Sequence, residues 1–305
     1  MKIQLILRQI KMEFLIIFSM CVLASVKVTL QSSYSRGRES STAQKHLFNA
    51  IMFATIGLMF SFSLFDGGIH PYTLTFGVAT GVLSALFQFF YLKAFATGRV
   101  TLTVIVNNFG MLIPMVYALI FYGESFGIVK IIATLLAAVS FFLVVKKSKN
   151  EKNIDKKTKW MWFLYTMLLF ISGGVCSTVQ KVYAVEIEKA NIQVFEFIAI
   201  AYISAMLISL IMFGFERIAH RKEKVGVSRK MIIFACLVGL SLGVFQCLNT
   251  YAPAIIDATV LYPAYNSGVS VLIAIIGAIL FKERLTVKQY IGSAIGILAV
   301  ILLCV

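Results

Sequence analysis

The sequence predicts an all-α membrane protein of ten transmembrane helices, arranged as two inverted five-helix repeats. Three observations predict it. Of the 305 residues, 60% are apolar and only 13% are charged, and mean hydropathy is +0.91, whereas a soluble domain usually carries about 25% charged residues. The apolar residues gather into ten runs, each about the ~20 residues that a helix needs to cross a bilayer core. The two halves also carry similar residues at a nearly fixed spacing. The runs do not alternate at period two, which argues against a β-barrel.

The first run, Met12–Leu30, follows a short basic stretch that resembles the start of a signal peptide. No A-x-A-like cleavage site precedes Gln31, so the run reads as a membrane helix. Met12 is an equally good start, and the first eleven residues read as a dispensable extension. Short connections then separate His46–Phe65, Tyr72–Ala96, Val100–Tyr122 and Phe126–Val145. The stretch Lys146–Lys159 carries seven lysines and is the natural linker. It places one five-helix unit in residues 1–149 and a second in 150–305. The second unit holds Trp160–Val185, Phe195–Phe215, Lys230–Thr250, Ala258–Phe281 and Thr286–Val305, interrupted by a charged loop at Glu216–Arg229. Only four prolines occur in the chain, which suits long uninterrupted helices.

The repeat is read from matched residues. Glu124 and Glu283 lie 159 positions apart, and the same offset pairs Asn107 with Asn266, Ala133 with Gly292 and Ala137 with Gly296. One residue of slippage pairs Gln88 with Gln246. Ala-Ser-Val-Lys at 24–27 resembles Ser-Thr-Val-Gln-Lys at 177–181, which relates Lys27 to Lys181. Five helices is an odd number, so the second copy enters the membrane in the opposite sense. Transporters use such inverted repeats because exchanging the conformations of the halves exchanges inward-open and outward-open states. Small residues four apart, namely Gly77/Gly81/Ala85, Ala235/Gly239/Gly243, Ala133/Ala137 and Gly292/Gly296, mark faces where helices approach closely. The fifth and tenth helices are expected to pack together through the last two sets.

A net charge of +15 raises the question of nucleic acid. The basic residues, however, sit in short loops between apolar segments, which favours topology and anionic headgroups instead. Twenty Lys and Arg lie in odd-numbered loops and five on the opposite side; Lys27, Lys93 and Lys181, inside apolar runs, complete the 28. The positive-inside rule therefore places the odd loops in the cytoplasm and both termini outside a cell membrane.

The segment Leu-Phe-Lys-Glu-Arg-Leu-Thr-Val-Lys-Gln-Tyr-Ile-Gly at 280–292 resembles the EamA-type signature of the drug/metabolite transporter superfamily. Phe-Tyr-Gly-Glu-Ser-Phe-Gly-Ile-Val-Lys at 121–130 is a looser copy, and the Val-Gln-Lys of the sixth run is also similar. The resemblance covers both halves. It implies ten helices, a central cavity and transport of small metabolites, with both halves EamA-like. The familiar ten-helix members have cytoplasmic termini, so resemblance and charge bias disagree about orientation.

Polar residues inside a bilayer are costly and are therefore the candidate substrate-binding residues. Asn107 and Asn108 of the fourth run face Tyr265 and Asn266 of the ninth under the repeat. Gln88, Gln246, Asn249 and Tyr262 form a second set. The plain alternative is hydrogen bonding between helices. Lys27, Lys93 and Lys181 lie one to two turns from helix ends. They either snorkel to headgroups or, for Lys27 and Lys181, draw an anionic group or close a gate. No carboxylate falls at mid-membrane, which ranks export of cationic drugs below metabolite transport. Glu124 and Glu283, at turns, read as caps of the helices that follow. The five cysteines lack metal-ligand spacing and read as packing residues.

His46, His70 and His220 lie at helix edges or in loops, so no buried imidazole is expected. No HExxH, GxSxG or P-loop occurs. The reading is not an enzyme, without cofactor or metal. Its partners are a small-molecule substrate and the lipid bilayer, not nucleic acid, and the oligomeric state is open. A cationic multidrug exporter, or a lipid-handling or scaffold protein without solute transport, are the competing functions. A continuous polar cavity favours transport; a sealed apolar core favours a scaffold.

Overall fold

The computed structural model describes residues 2–35, 41–65, 67–97, 103, 106–144, 156–190, 192–220, 226–280 and 286–303. Glu283, the linker lysines up to 152 and Cys304 lie outside these residues. The described chain is helical throughout: α1 (Lys2–Ser35), α2 (Thr42–Phe60), α3 (Pro71–Thr97), α4 (Val106–Phe121), α5 (Ile128–Val144), α6 (Lys156–Val185), α7 (Val194–Ala219), α8 (Arg229–Ile255), α9 (Ala258–Leu280) and α10 (Val287–Leu303). These are the ten expected helices. Six of them, α1, α2 with its 3-10 extension to Phe65, α3, α6, α7 and α8, are long and apolar enough to cross a membrane. The others in part fall short. For example, the 17 residues of α10 rise about 26 Å, slightly less than the roughly 30 Å hydrocarbon core.

Local chemistry sets several helix starts. Ser41 and Ser228 cap α2 and α8 by accepting from the amides of Gln44 (3.2 Å) and Met231 (3.1 Å). Thr286 and Gln289 form a reciprocal capping box at α10: the Thr286 amide donates to Gln289 Oε1 at 2.9 Å and the Gln289 amide to Thr286 Oγ1 at 3.4 Å. That accounts for the Gln near the start of the last helix, which sequence reading recorded only as part of a signature.

Eight helices close a ring in which each packs on the next: α2, α7, α3, α6, α4, α9, α1, α8 and back to α2. Advancing every helix by five returns the same ring. The remaining two helices, α5 and α10, pack on each other beside α9, as expected from their small-residue stripes. Ala133 and Ala137 are fully buried there, and Ser140 Oγ donates to Gly292 O at 2.8 Å.

The other stripes mark equivalent interfaces. Gly77 and Gly81 bring α3 against α7, where a Cβ on Gly81 would overlap the Ala201 carbonyl and lie 2.7 Å from Ser204 Cβ. Gly239 and Gly243 bring α8 against α2, where a Cβ on Gly239 would lie 2.7 Å from Met52 O. Advancing α3 and α7 by five gives α8 and α2, so the two glycine seams correspond. The inner cluster contains Met52, Phe53, Ile56, Ile198, Tyr202, Val238 and Leu242. Outward faces are apolar and exposed, as with Phe14, Phe18 and Val22 on α1 and Leu207, Ile211 and Phe215 on α7, which is the pattern of helices solvated by lipid.

Candidate functional site

Inside the ring lies a cavity of about 190 Å³. Its polar lining comes from Lys27 of α1, Ser84 and Gln88 of α3, Cys176, Ser177 and Gln180 of α6, Tyr202 of α7, Gln246 and Asn249 of α8, and Tyr265 of α9. Phe53, Phe87 and Phe245 supply aromatic walls. A second hollow of about 290 Å³, between α1, α9 and α10, is lined by apolar side chains with Cys21 and Gly268 and offers no charged group to a ligand.

One wall of the cavity is a hydrogen-bonded chain. Asn249 Nδ2 donates to Gln180 Oε1 at 2.6 Å and to Gln246 Oε1 at 3.3 Å, and Gln246 Nε2 donates to the Tyr202 hydroxyl. Chains of this kind hold their members in fixed rotamers in a low dielectric. Two other lining groups, on α3 and on α1, differ. Gln88 is 8% exposed and its amide meets no partner among the described residues, and the same holds for the Lys27 ammonium.

The structure places the expected site residues in three groups. Gln88, Gln246, Asn249, Tyr265 and Lys27 line the cavity together. Asn107, Asn108, Tyr262 and Asn266 do not line it. Asn107 and Asn108 stand in the first described turn of α4, where a Cβ on Gly173 of the cavity wall would lie 3.9 Å from Asn107 Oδ1. Tyr262 spends its hydroxyl on Ser177 O at 3.1 Å, and Asn266 Nδ2 returns to Tyr262 O at 2.9 Å. Ser267, beside Asn266, is fully buried and donates to Gly296 O. Lys93 lies at the far end of α3, over the Phe89 ring.

Lys181 needs a correction, because it does not snorkel. It is 4% exposed and lies 2.8 Å from Glu124 Oε1, itself 7% exposed. It also donates to Pro253 O at 2.7 Å. Pro253 O belongs to the last turn of α8, where carbonyls lack intrahelical partners and a cation is favoured. Glu124 is corrected too. It caps α9, through the Thr259 amide at 3.2 Å, rather than the helix that follows it. The ion pair therefore grips the α8–α9 turn from both sides, cation on one helix end and anion on the next.

Further contacts close the same end of the ring. Lys130 meets Asp257 at 3.0 Å. The Tyr72 hydroxyl donates to Glu186 at 3.0 Å, and the Lys189 ammonium together with that hydroxyl holds the Glu186 carboxyl below its usual range. Tyr183, fully buried, stacks on Phe197 with ring centres 4.1 Å apart and donates to Gln193 O. These residues all belong to even-numbered connections or the helix ends beside them.

Sequence reading missed several residues: Ser84, Ser177, Gln180 and Tyr202 line the cavity without having been candidates, and Cys176 and His46 were misjudged. Cys176 lines the cavity beside Ser84 rather than serving only as packing. His46, expected at an exposed edge, is 3% exposed and stacked on Phe89. Position near a helix end misled here, because α2 begins at Thr42 and its first turn is already covered by neighbouring helices.

Among the described residues, helices with exposed apolar flanks, six of them long and apolar enough to cross a membrane, point to a multi-pass membrane protein. Residues 160–305 match the model of the EamA-like transporter family, of the drug/metabolite transporter superfamily. No curated protein matches the sequence. Among 28 matching chains of solved structures, one crystal structure of a protein superposes with a TM-score of 0.75 at 13% identity, over 96% of each chain. At that identity the likeness speaks for the fold alone.

Proposed function

We propose that the chain is a secondary transporter that moves a small polar or amphipathic metabolite by alternating access through the central cavity. The observation that carries this is the cavity itself: a polar hollow inside a helix ring, with Gln88 and Gln246, counterparts in the two halves, both on its wall. Buried polar side chains are expensive at membrane depth and stay there for a ligand or for each other. The ring that maps onto itself when helices advance by five supports reading residues 1–149 and 150–305 as inverted repeats. The ties at the even-numbered connections support a state closed on that side, with Lys181–Glu124 as its latch.

Purified protein in liposomes tests the reading. Vesicles loaded with a defined mixture of amino acids, small organic acids and nucleosides should release at least one component faster than protein-free vesicles. Gln246→Leu, which breaks the chain to Tyr202 and Asn249, should slow that release by about tenfold, the worth of roughly 1.4 kcal/mol. Release no faster than from empty vesicles would sink the transporter reading. An unchanged rate in Gln246→Leu would sink the cavity as the route.

The charge bias supports cytoplasmic odd-numbered loops in the cell membrane. A single cysteine placed in the Lys146–Lys159 segment should resist a membrane-impermeant thiol reagent in intact cells and react after lysis. Labelling in intact cells would reverse the orientation.

A further inference from the structure

We propose that the cavity takes a small organic carboxylate, bound by the Lys27 ammonium and the Gln88 amide. The proposal rests on the transport reading and deepens it by naming the charge of the cargo.

It follows from a broken symmetry. The chain contains two copies of the same polar set. In the second copy every member is satisfied: Lys181 has Glu124 and the Pro253 carbonyl, and Gln246 has Tyr202 and Asn249. In the first copy, neither Lys27 nor Gln88 has a hydrogen-bond or ion-pair partner among the described residues; Glu283, the counterpart of Glu124, lies outside them. Both unsatisfied groups line the same hollow. A half-buried cation without a counterion is unfavourable, and an unmet buried amide adds to the cost.

Lys27 does not escape that cost by snorkelling. Its side chain lines the interior hollow rather than the lipid-facing surface. The group that satisfies both must be an anion able to accept from an ammonium and from an amide N–H. A carboxylate does so with its two oxygens. Among the described residues no Asp or Glu lines the cavity, so a cationic ligand would find no opposite charge there. Phe53, Phe87, Phe245 and Tyr265 supply rings for the apolar body of the acid.

Matched acids and amides of equal shape test this: nicotinate with nicotinamide, phenylacetate with phenylacetamide, lactate with lactamide. Each is titrated against the thermal unfolding midpoint of the full chain in nanodiscs. At least one acid should raise the midpoint while its amide does not. Lys27→Arg should keep the effect, and Lys27→Gln should weaken apparent affinity at least tenfold. Gln88→Leu, which removes no hydrogen bond among the described residues, should weaken it as well and serves if Lys27→Gln fails to fold. The proposal is overturned if no acid stabilises the wild-type protein, if amides stabilise as well as acids, or if both variants retain the acid's effect. Counterflow of the same compounds separates the two readings. Transport without preference for the acid removes only the charge assignment. An acid that binds but does not cross removes only the transport reading.

Discussion

Glu124→Gln is expected to destabilise the protein by about 3–5 kcal/mol, the cost of leaving a buried charge without its counterion. The isosteric amide still accepts from the Thr259 amide, so the cap on α9 survives in part. What is lost is the negative charge 2.8 Å from Lys181, a residue with 4% exposure. The Pro253 carbonyl alone must then solvate an ammonium. The unfolding midpoint in nanodiscs should fall by roughly 10 °C, taking a few degrees per kcal/mol for a chain of this size. Glu124→Gln combined with Lys181→Met should recover most of the loss, because removing both charges costs far less than removing one. A midpoint unchanged in the single variant would mean that water reaches the pair. The same variants bear on the latch: with the pair gone, a cysteine at Ser177 should react faster with thiol reagents added from the even-loop side. An unchanged rate would leave the pair purely structural.

That pair also shows where sequence reading succeeded and where it ran out. The ten helices were legible because apolar runs and their charged interruptions are local signals. The α5–α10 contact was legible because small residues at spacing four declare a close approach. Gln88 and Gln246 could be matched once one residue of slippage was allowed, and both line the cavity. The partners of Lys181 and Glu124 could not be read, since 57 residues of chain separate them and nothing local says which turn meets which helix. Asn107 and Asn266 looked like the axis of the site because they matched at the same offset as the glutamates. Asn266, though, turns its amide back to its own helix, and neither it nor Asn107 is among the cavity-lining residues. Matching position in a repeat gives a symmetric location. Whether that location faces the cavity depends on helix rotation, which the offset does not encode.

Gly81→Ala is expected to separate α3 from α7 and cut the yield of folded protein several-fold. The added methyl has nowhere to go: its position overlaps the Ala201 carbonyl oxygen and lies 2.7 Å from Ser204 Cβ. Backbone cannot rotate aside as a side chain can, so the helices must part, at about 1–3 kcal/mol or more. The seam is next to the site, because Tyr202, which accepts from Gln246, follows Ala201 directly. Moving α7 therefore loosens the amide chain as well as the packing. Gly214→Ala on the same α7 supplies the opposite case. Nothing lies within 4 Å of the new methyl, and alanine is the better helix former by about 1 kcal/mol. Its midpoint should hold or rise. The corresponding change on the second seam, Gly239→Ala, meets Met52 O at 2.7 Å and Thr55 Cβ at 2.8 Å, and should destabilise like Gly81→Ala. If Gly81→Ala and Gly239→Ala both behaved like Gly214→Ala, neither seam would be the tight interface that holds the ring around its cavity.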